Sequence, residues 1–266
     1  MTTSTTDTRT NATADSIVLE TENLTKTFGT LTAVEDVSLR VESGTITSII
    51  GPNGAGKTTL FNLFTGKHAP TDGEIWFRGS PIGGREPHDI VSSGVVRSFQ
   101  ITNFFDDLTA LENVRLATQA RQTGFRPGDF VRHHGAIGGP IEAANEILER
   151  VHLSAVADRP AANLSYGQRR HLEIAISLAA DPELLLMDEP TAGMSPEETR
   201  ETVELIREIA ADVTLILIEH DMDIVMDISD RIAVMNKGSL LARGTPAEIK
   251  RDDRVQEAYL GGGGDE

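Results

Sequence analysis

Apolar and polar residues alternate along residues 17–24 and again along 34–41, the period of a strand with one buried face, with Gly29 and Thr30 placed between them for a turn. An antiparallel pair is predicted there. Residues 46–50, 184–187 and 213–218 are instead short runs dominated by Ile, Leu and Val, as in strands covered on both faces. Further strands are predicted at 74–78, 95–99, 231–235 and 239–243, the last two joined by a turn at Asn236-Lys237-Gly238. Helical periodicity covers 108–119, 141–151, 169–180 and 196–210, and the third of these carries a wide apolar face of Leu172, Ile174, Ala175, Ile176, Leu178 and Ala179. Two short helices follow Pro246 and reach Tyr259. Residues 1–16 and 261–266 lack any period and are predicted to be a disordered and a flexible tail. The alternation of strand and helix predicts an α/β fold.

Composition narrows the setting. The chain has 266 residues, 39% of them hydrophobic, and no apolar run approaches the ~20 residues of a membrane-spanning helix. Its first sixteen residues lack the apolar core of a secretory signal, so a soluble cytoplasmic chain is expected. Cysteine is absent, which excludes thiol chemistry and disulfides. The net charge of −17 repels nucleic acid and anionic lipid, so no nucleic-acid partner is expected and any membrane role must pass through a protein. With only five lysines and this acidic excess, the chain is expected to be halophilic.

The chemistry centres on the segment after residues 46–50, which reads Gly51-Pro52-Asn53-Gly54-Ala55-Gly56-Lys57-Thr58-Thr59 and leads into helical sequence. It matches the G-x-x-x-x-G-K-[ST] phosphate loop in its strand-to-helix setting. Gly51, Gly54 and Gly56 let the backbone turn its N–H groups onto phosphate oxygens. Lys57 adds a charge for the β- and γ-phosphates, the helix N-terminus adds its dipole, and Thr58 offers a hydroxyl to Mg²⁺.

The other candidates are weaker singly. Phe28 offers a stacking face for a purine, though a core role suits it as well. Gln100 stands at a strand exit within reach of a metal or its water. Residues 121–140 form a basic insertion, whose His133 and His134 diverge on any regular element and so make a poor metal site. Ser165, Tyr166, Gly167 and Gln168 at a helix start form either a second phosphate site or a plain N-cap. Residues 184–187 end in Asp188 and Glu189, where open α/β sheets bind ligands: Asp188 suits the Mg²⁺ shell and Glu189 a water aimed at the γ-phosphate. His220, at the end of 213–218, suits the γ-phosphate from the side opposite Lys57.

In this order, Phe28, GPNGAGKTT, Gln100, LSYGQ, LLLMDEP and His220 resemble the ATP-binding subunits of ABC transporters over residues 17–260. Longer stretches, among them DEPTAGMSPEE and LIEHDMDIVMDISDRIAVMNKG, resemble the branched-chain amino acid importer ATPases, with urea and short-chain amide importers as close relatives. The resemblance implies a P-loop ABC-type ATPase with a RecA-like core, an N-terminal antiparallel β subdomain and a helical subdomain over about 101–180. It implies ATP and Mg²⁺ as ligands: Phe28 on adenine, Gly51 to Thr59 on the triphosphate, and Gln100 and Asp188 with Thr58 on Mg²⁺. Glu189 would take the attacking water and His220 the γ-phosphate. Ser165, Gly167 and Gln168 would touch the nucleotide of a second ABC ATPase subunit, in a homo- or heterodimer. Permease subunits, and indirectly a solute-binding protein, would complete an importer at the cytoplasmic face of the membrane. Tyr166 replaces a signature glycine, and Ser195 stands where many relatives carry aspartate. The competing reading is a soluble P-loop ATPase or GTPase not tied to transport, which would have no use for LSYGQ.

Overall fold

The computed structural model describes residues 16–98, 104–122 and 139–260. Residues 1–15, Gln100, His133, His134 and the 261–266 tail lie outside the described residues. Ser16, assigned to the tail by sequence, is instead held to the fold, its carbonyl accepting from Ser43 N–H at 2.6 Å.

Strand β1 (Ile17–Phe28) is longer than the alternation predicts because it serves several partners. Its outer half pairs with β2 (Leu31–Val37) and its inner half with β3 (Arg40–Glu42), both antiparallel. The single strand predicted over 34–41 is therefore two. Asp36 turns left-handed at φ 50°, and the Thr21 hydroxyl fills the gap in the ladder, donating to Val37 O and accepting from Leu39 N–H, each at 2.9 Å. Across its other edge β1 pairs with β5 (Asp72–Phe77), which pairs with β6 (Ser80–Pro81).

The second sheet begins with β4 (Ile46–Ile50), which leads through the phosphate loop into helix α1 (Lys57–Phe64). Helix α2 (Pro87–Ser92) and β7 (Val95–Arg97) come next, the strand ending before the predicted residue 99. Helices α3 (Ala110–Gln122), α4 (Pro140–Arg150) and α5 (Tyr166–Leu178) pack together, and then come β8 (Leu184–Asp188), α6 (Pro196–Ala210), β9 (Thr214–Ile218) and α7 (Met222–Ile228). Hairpin β10 (Arg231–Asn236) and β11 (Ser239–Gly244) and helices α8 (Pro246–Ile249) and α9 (Asp253–Leu260) finish the chain. Strand order among the described residues is β11-β10-β4-β9-β8-β7, parallel except for the final hairpin.

Both faces of this sheet are covered, which accounts for the apolar runs. Leu185, Met187, Leu215 and Leu217 pack under α5 and α6, whereas Leu184, Leu186, Ile216 and Ile218 join the core of α1 and the first sheet. Each such side chain contributes roughly 1.5–3 kcal/mol by leaving water. The same packing sets the C-terminal ends of β4, β9 and β8 side by side, where the phosphate loop, Asp188, Glu189 and His220 emerge.

Candidate active site

Gly51, Gly54 and Gly56 all have positive φ, at 154°, 78° and 98°. A Cβ at Gly51 would run into Met235 O and one at Gly56 into Ala33 O, so at these two positions the loop, wedged between two β-hairpins, leaves no room for a side chain. Lys57 donates to Gly51 O at 2.6 Å and to Pro52 O at 3.1 Å. Burial pushes its ammonium below the ordinary lysine value, against the opposing pull of the Glu189 and Asp188 carboxylates.

A cavity of about 460 Å³ opens over the loop. Residues 53–59 form one wall, with Glu189 and His220 on another and Leu31 and Lys237 also on its lining. Phe28 is not on that wall: its ring, 42% exposed, meets His68 edge-on at 5.1 Å with the Lys26 ammonium above it.

The two adjacent carboxylates are held differently. Asp188 accepts from Arg97 Nη2 at 2.6 Å, while Arg97 Nη1 donates to Asn62 on α1 at 2.7 Å. Glu189 sits just past the strand at φ 48°, its N–H donating to Ile218 O at 2.8 Å. Its Oε1 lies 2.9 Å from His220 Nε2, which turns the other carboxylate oxygen free for a second partner. Buried Glu219 braces the following loop by accepting from Thr191 N–H and Oγ1 and from His220 N–H.

Ser165, Gly167 and Gln168 lie in the first turn of α5, away from the cavity lining. Ser165 is an N-cap, accepting from Gln168 N–H at 3.2 Å while Gln168 Oε1 accepts from Ser165 N–H at 3.1 Å. Gly167 N–H donates to Glu198 on α6 at 3.1 Å, and Tyr166 Oη to Ala192 O at 3.0 Å. Ser195 caps α6 by the same reciprocal pattern, a role aspartate shares.

Sequence reasoning missed Arg97, Arg170 and Glu219. Among the described residues no cluster of three His, Cys, Asp or Glu gathers for a metal. Thr58 lies on the cavity lining, whereas the buried Asp188 is not on it and has its carboxylate taken up by Arg97; a hydroxyl and a carboxylate are the donor types of a hard cation that keeps most of its waters.

The ABC transporter family profile matches residues 34–192, and that of the branched-chain amino acid ATP-binding cassette transporter C-terminus matches 239–265. The chain is 45% identical over 249 residues to the high-affinity branched-chain amino acid transport ATP-binding protein BraF of Pseudomonas aeruginosa, covering 92% of this chain and 98% of BraF. It is 44% identical over 252 residues to LivG of Escherichia coli, of the same description, with the same coverage. Among solved structures, an ATP-binding cassette of an ABC transporter in its ADP conformation superposes with a TM-score of 0.80 at 34% identity, covering 92% of this chain and 99% of that one. A dimeric bacterial ABC transporter cassette gives 0.71 at 25% identity, with coverage of 86% and 98%.

Proposed function

Because this chain belongs to the ABC transporter family of ATP-binding proteins, we propose that it hydrolyses ATP to drive an importer of branched-chain amino acids, bound peripherally to permease subunits at the cytoplasmic face of the membrane. The observation that carries the chemistry is the Glu189–His220 pair at 2.9 Å on the wall of the phosphate-loop cavity. The substrate class rests on the relatives named for that transport and on the C-terminal match.

Backbone N–H groups of residues 53–59 receive the triphosphate, and Lys57 exchanges the carbonyls of Gly51 and Pro52 for phosphate oxygens. Thr58 and Asp188 would hold Mg²⁺, with Gln100 as a third candidate ligand. An ion held by these residues would supply positive charge to offset that of the triphosphate. His220 fixes Glu189 through one oxygen, leaving the other to align a water and accept its proton. Phe28 would stack on the adenine from its place at the end of β1. Ser165, Gly167 and Gln168, which are not on the lining of this cavity, would complete the site of a second ATPase subunit, identical or homologous, so that ATP closes the dimer and hydrolysis reopens it.

A second cavity of about 480 Å³ supports the permease reading. Val91, Val96, Phe104 and Ile176 give it apolar walls, and Arg97, the partner of Asp188, lies on its lining. An apolar segment of a permease seated there would touch a residue that touches the site. No helix among the described residues is long and apolar enough to cross a membrane.

The test is to purify the permease and ATPase subunits that co-isolate with this chain from its native membrane, and to measure ATPase stimulation by solute-binding protein loaded with leucine or with urea. Stimulation by the leucine-loaded protein alone is expected. Stimulation by the urea-loaded protein alone would overturn the substrate class, and failure to recover any membrane subunit would overturn the transport role.

A further inference from the structure

Strand β8 ends at Asp188, and among the described residues Ser98 N–H, bonded to Leu186 O at 2.8 Å, is the last main-chain donor to it from the β7 side. A single side chain on α5 takes over. Arg170 Nη2 donates to Asp188 O at 2.7 Å and to Glu189 O at 2.8 Å, and its Nε donates to Pro190 O at 3.1 Å. Its Nη1 is braced by Glu173 at 2.7 Å, with both side chains close to nine-tenths buried. Four of the five N–H donors of the guanidinium are thus used, and only a planar fork can serve three successive carbonyls at once.

The residue in the middle of that fork is Glu189, whose φ of 48° lies in a region that residues with a Cβ seldom occupy. Such a conformation persists only where its surroundings over-determine it. Here Ile218 O holds the N–H of Glu189 and Arg170 holds its carbonyl, so the side chain leaves the strand aimed at His220 and the phosphate-loop cavity. The start of the same helix carries two further ties to the segment after Glu189, from Tyr166 to Ala192 and from Gly167 to Glu198.

We propose that Arg170 is the positioning residue of Glu189, a strut that fixes the left-handed turn at the catalytic carboxylate and joins it rigidly to the first turn of α5. The inference rests on the reading of Glu189 as the residue that activates water. Its consequence is that the helix carrying Ser165, Gly167 and Gln168 cannot shift against a second subunit's nucleotide without moving Glu189 in its own site. Lysine cannot replace Arg170, because a single ammonium delivers its donors from one point.

The test compares the full-length chain with R170K, E189Q and the double variant, measuring binding of a fluorescent ATP analogue, steady-state hydrolysis and single-turnover rates. R170K should bind nucleotide within about twofold of the parent while kcat falls about tenfold or more, as a displaced catalytic group requires. In the E189Q background R170K should leave the residual rate unchanged. A kcat for R170K within about twofold of the parent, a loss of ATP affinity matching the loss of kcat, or a full further loss on top of E189Q would each overturn the strut. An active E189Q would instead sink the reading of Glu189, a separate result. Should R170K fail to fold, E173Q replaces it: Arg170 remains but loses its brace, kcat should fall at unchanged nucleotide affinity, and an unaltered kcat overturns the proposal.

Discussion

Asp188 ends β8 with its carboxylate clamped by Arg97, the two side chains 5% and 16% exposed, and the guanidinium also held by Asn62 and lying over the Phe61 ring. Removing one member of a buried pair strands the other charge, so R97M should lower unfolding free energy by about 3–5 kcal/mol in urea titration. The double variant R97M/D188N should lose clearly less than the sum of the two single losses, and simple additivity would show that the pair is not coupled. At this scale the sequence is uneven. Gly51 to Thr59, Asp188, Glu189 and His220 are legible because their chemistry is written in contiguous motifs, and the structure gathers them at one end of the parallel sheet. Arg97 and Arg170 are not, because what distinguishes them is a partner 91 residues away or a row of main-chain carbonyls, neither of which leaves a local pattern. Glu219 is hidden for the same reason: its neighbours in sequence look like a polar strand end, while its partner Thr191 lies 28 residues back.

Helix α5 connects more of the molecule than any periodicity could suggest. Its buried His171 faces Val151 O at the end of α4 through Nδ1 and Thr202 Oγ1 on α6 through Nε2, each at 3.2 Å. A carbonyl can only accept, so Nδ1 carries the proton, while the single proton of the Thr202 hydroxyl is shared between Nε2 and Met194 Sδ, which lies 3.3 Å from it. Burial pushes this imidazole below its ordinary value of 6.5, the Val151 carbonyl opposing and nearby His152 adding to the shift. As pH falls through 6.5 the unfolded chain gains a proton that the folded chain refuses, so stability drops between that value and the lower folded one. The urea midpoint should therefore fall between about pH 7 and pH 5.5, and H171Q should flatten that slope; an equal slope in both proteins would contradict it. The carboxylates of Glu112, Glu198 and Glu248 act in a separate window. Backbone N–H groups of Thr109, Ser195 and Thr245 hold them below 4.5, so their contribution is full above that value and is lost only in stronger acid. Among elements, the long apolar runs and the capped helices were legible, α6 from end to end. Helices α2 and α7, with six and seven residues, were not, because one or two turns are too short to display a period. The division of residues 34–41 into two strands depends on Thr21, which no alternation reveals.

For the molecule as a whole, two sheets and a helical group meet so that the phosphate loop, the Glu189 carboxylate and the start of α5 all belong to one framework. Wedging of the loop between hairpins β1–β2 and β10–β11 makes the cradle itself a tertiary product, although its residues form one run in the sequence. Family resemblance reads clearly here because each motif is a contiguous run at a strand end or a helix start, even though the sheet sets the strands in the order β4-β9-β8 rather than in chain order. Ser165, Gly167 and Gln168 lie outside the cavity lining, in the first turn of α5, and in the proposed dimer they would serve a second subunit's nucleotide. The proposed division of labour, in which Glu189 activates the water while the rest of the site binds ATP, is checked by E189Q, measured for ATP affinity, turnover and oligomeric state with Mg²⁺ and ATP. E189Q should keep the nucleotide affinity of the parent, lose turnover and form a closed dimer that persists on a sizing column. An E189Q protein that retains most of the parent's hydrolysis would contradict it.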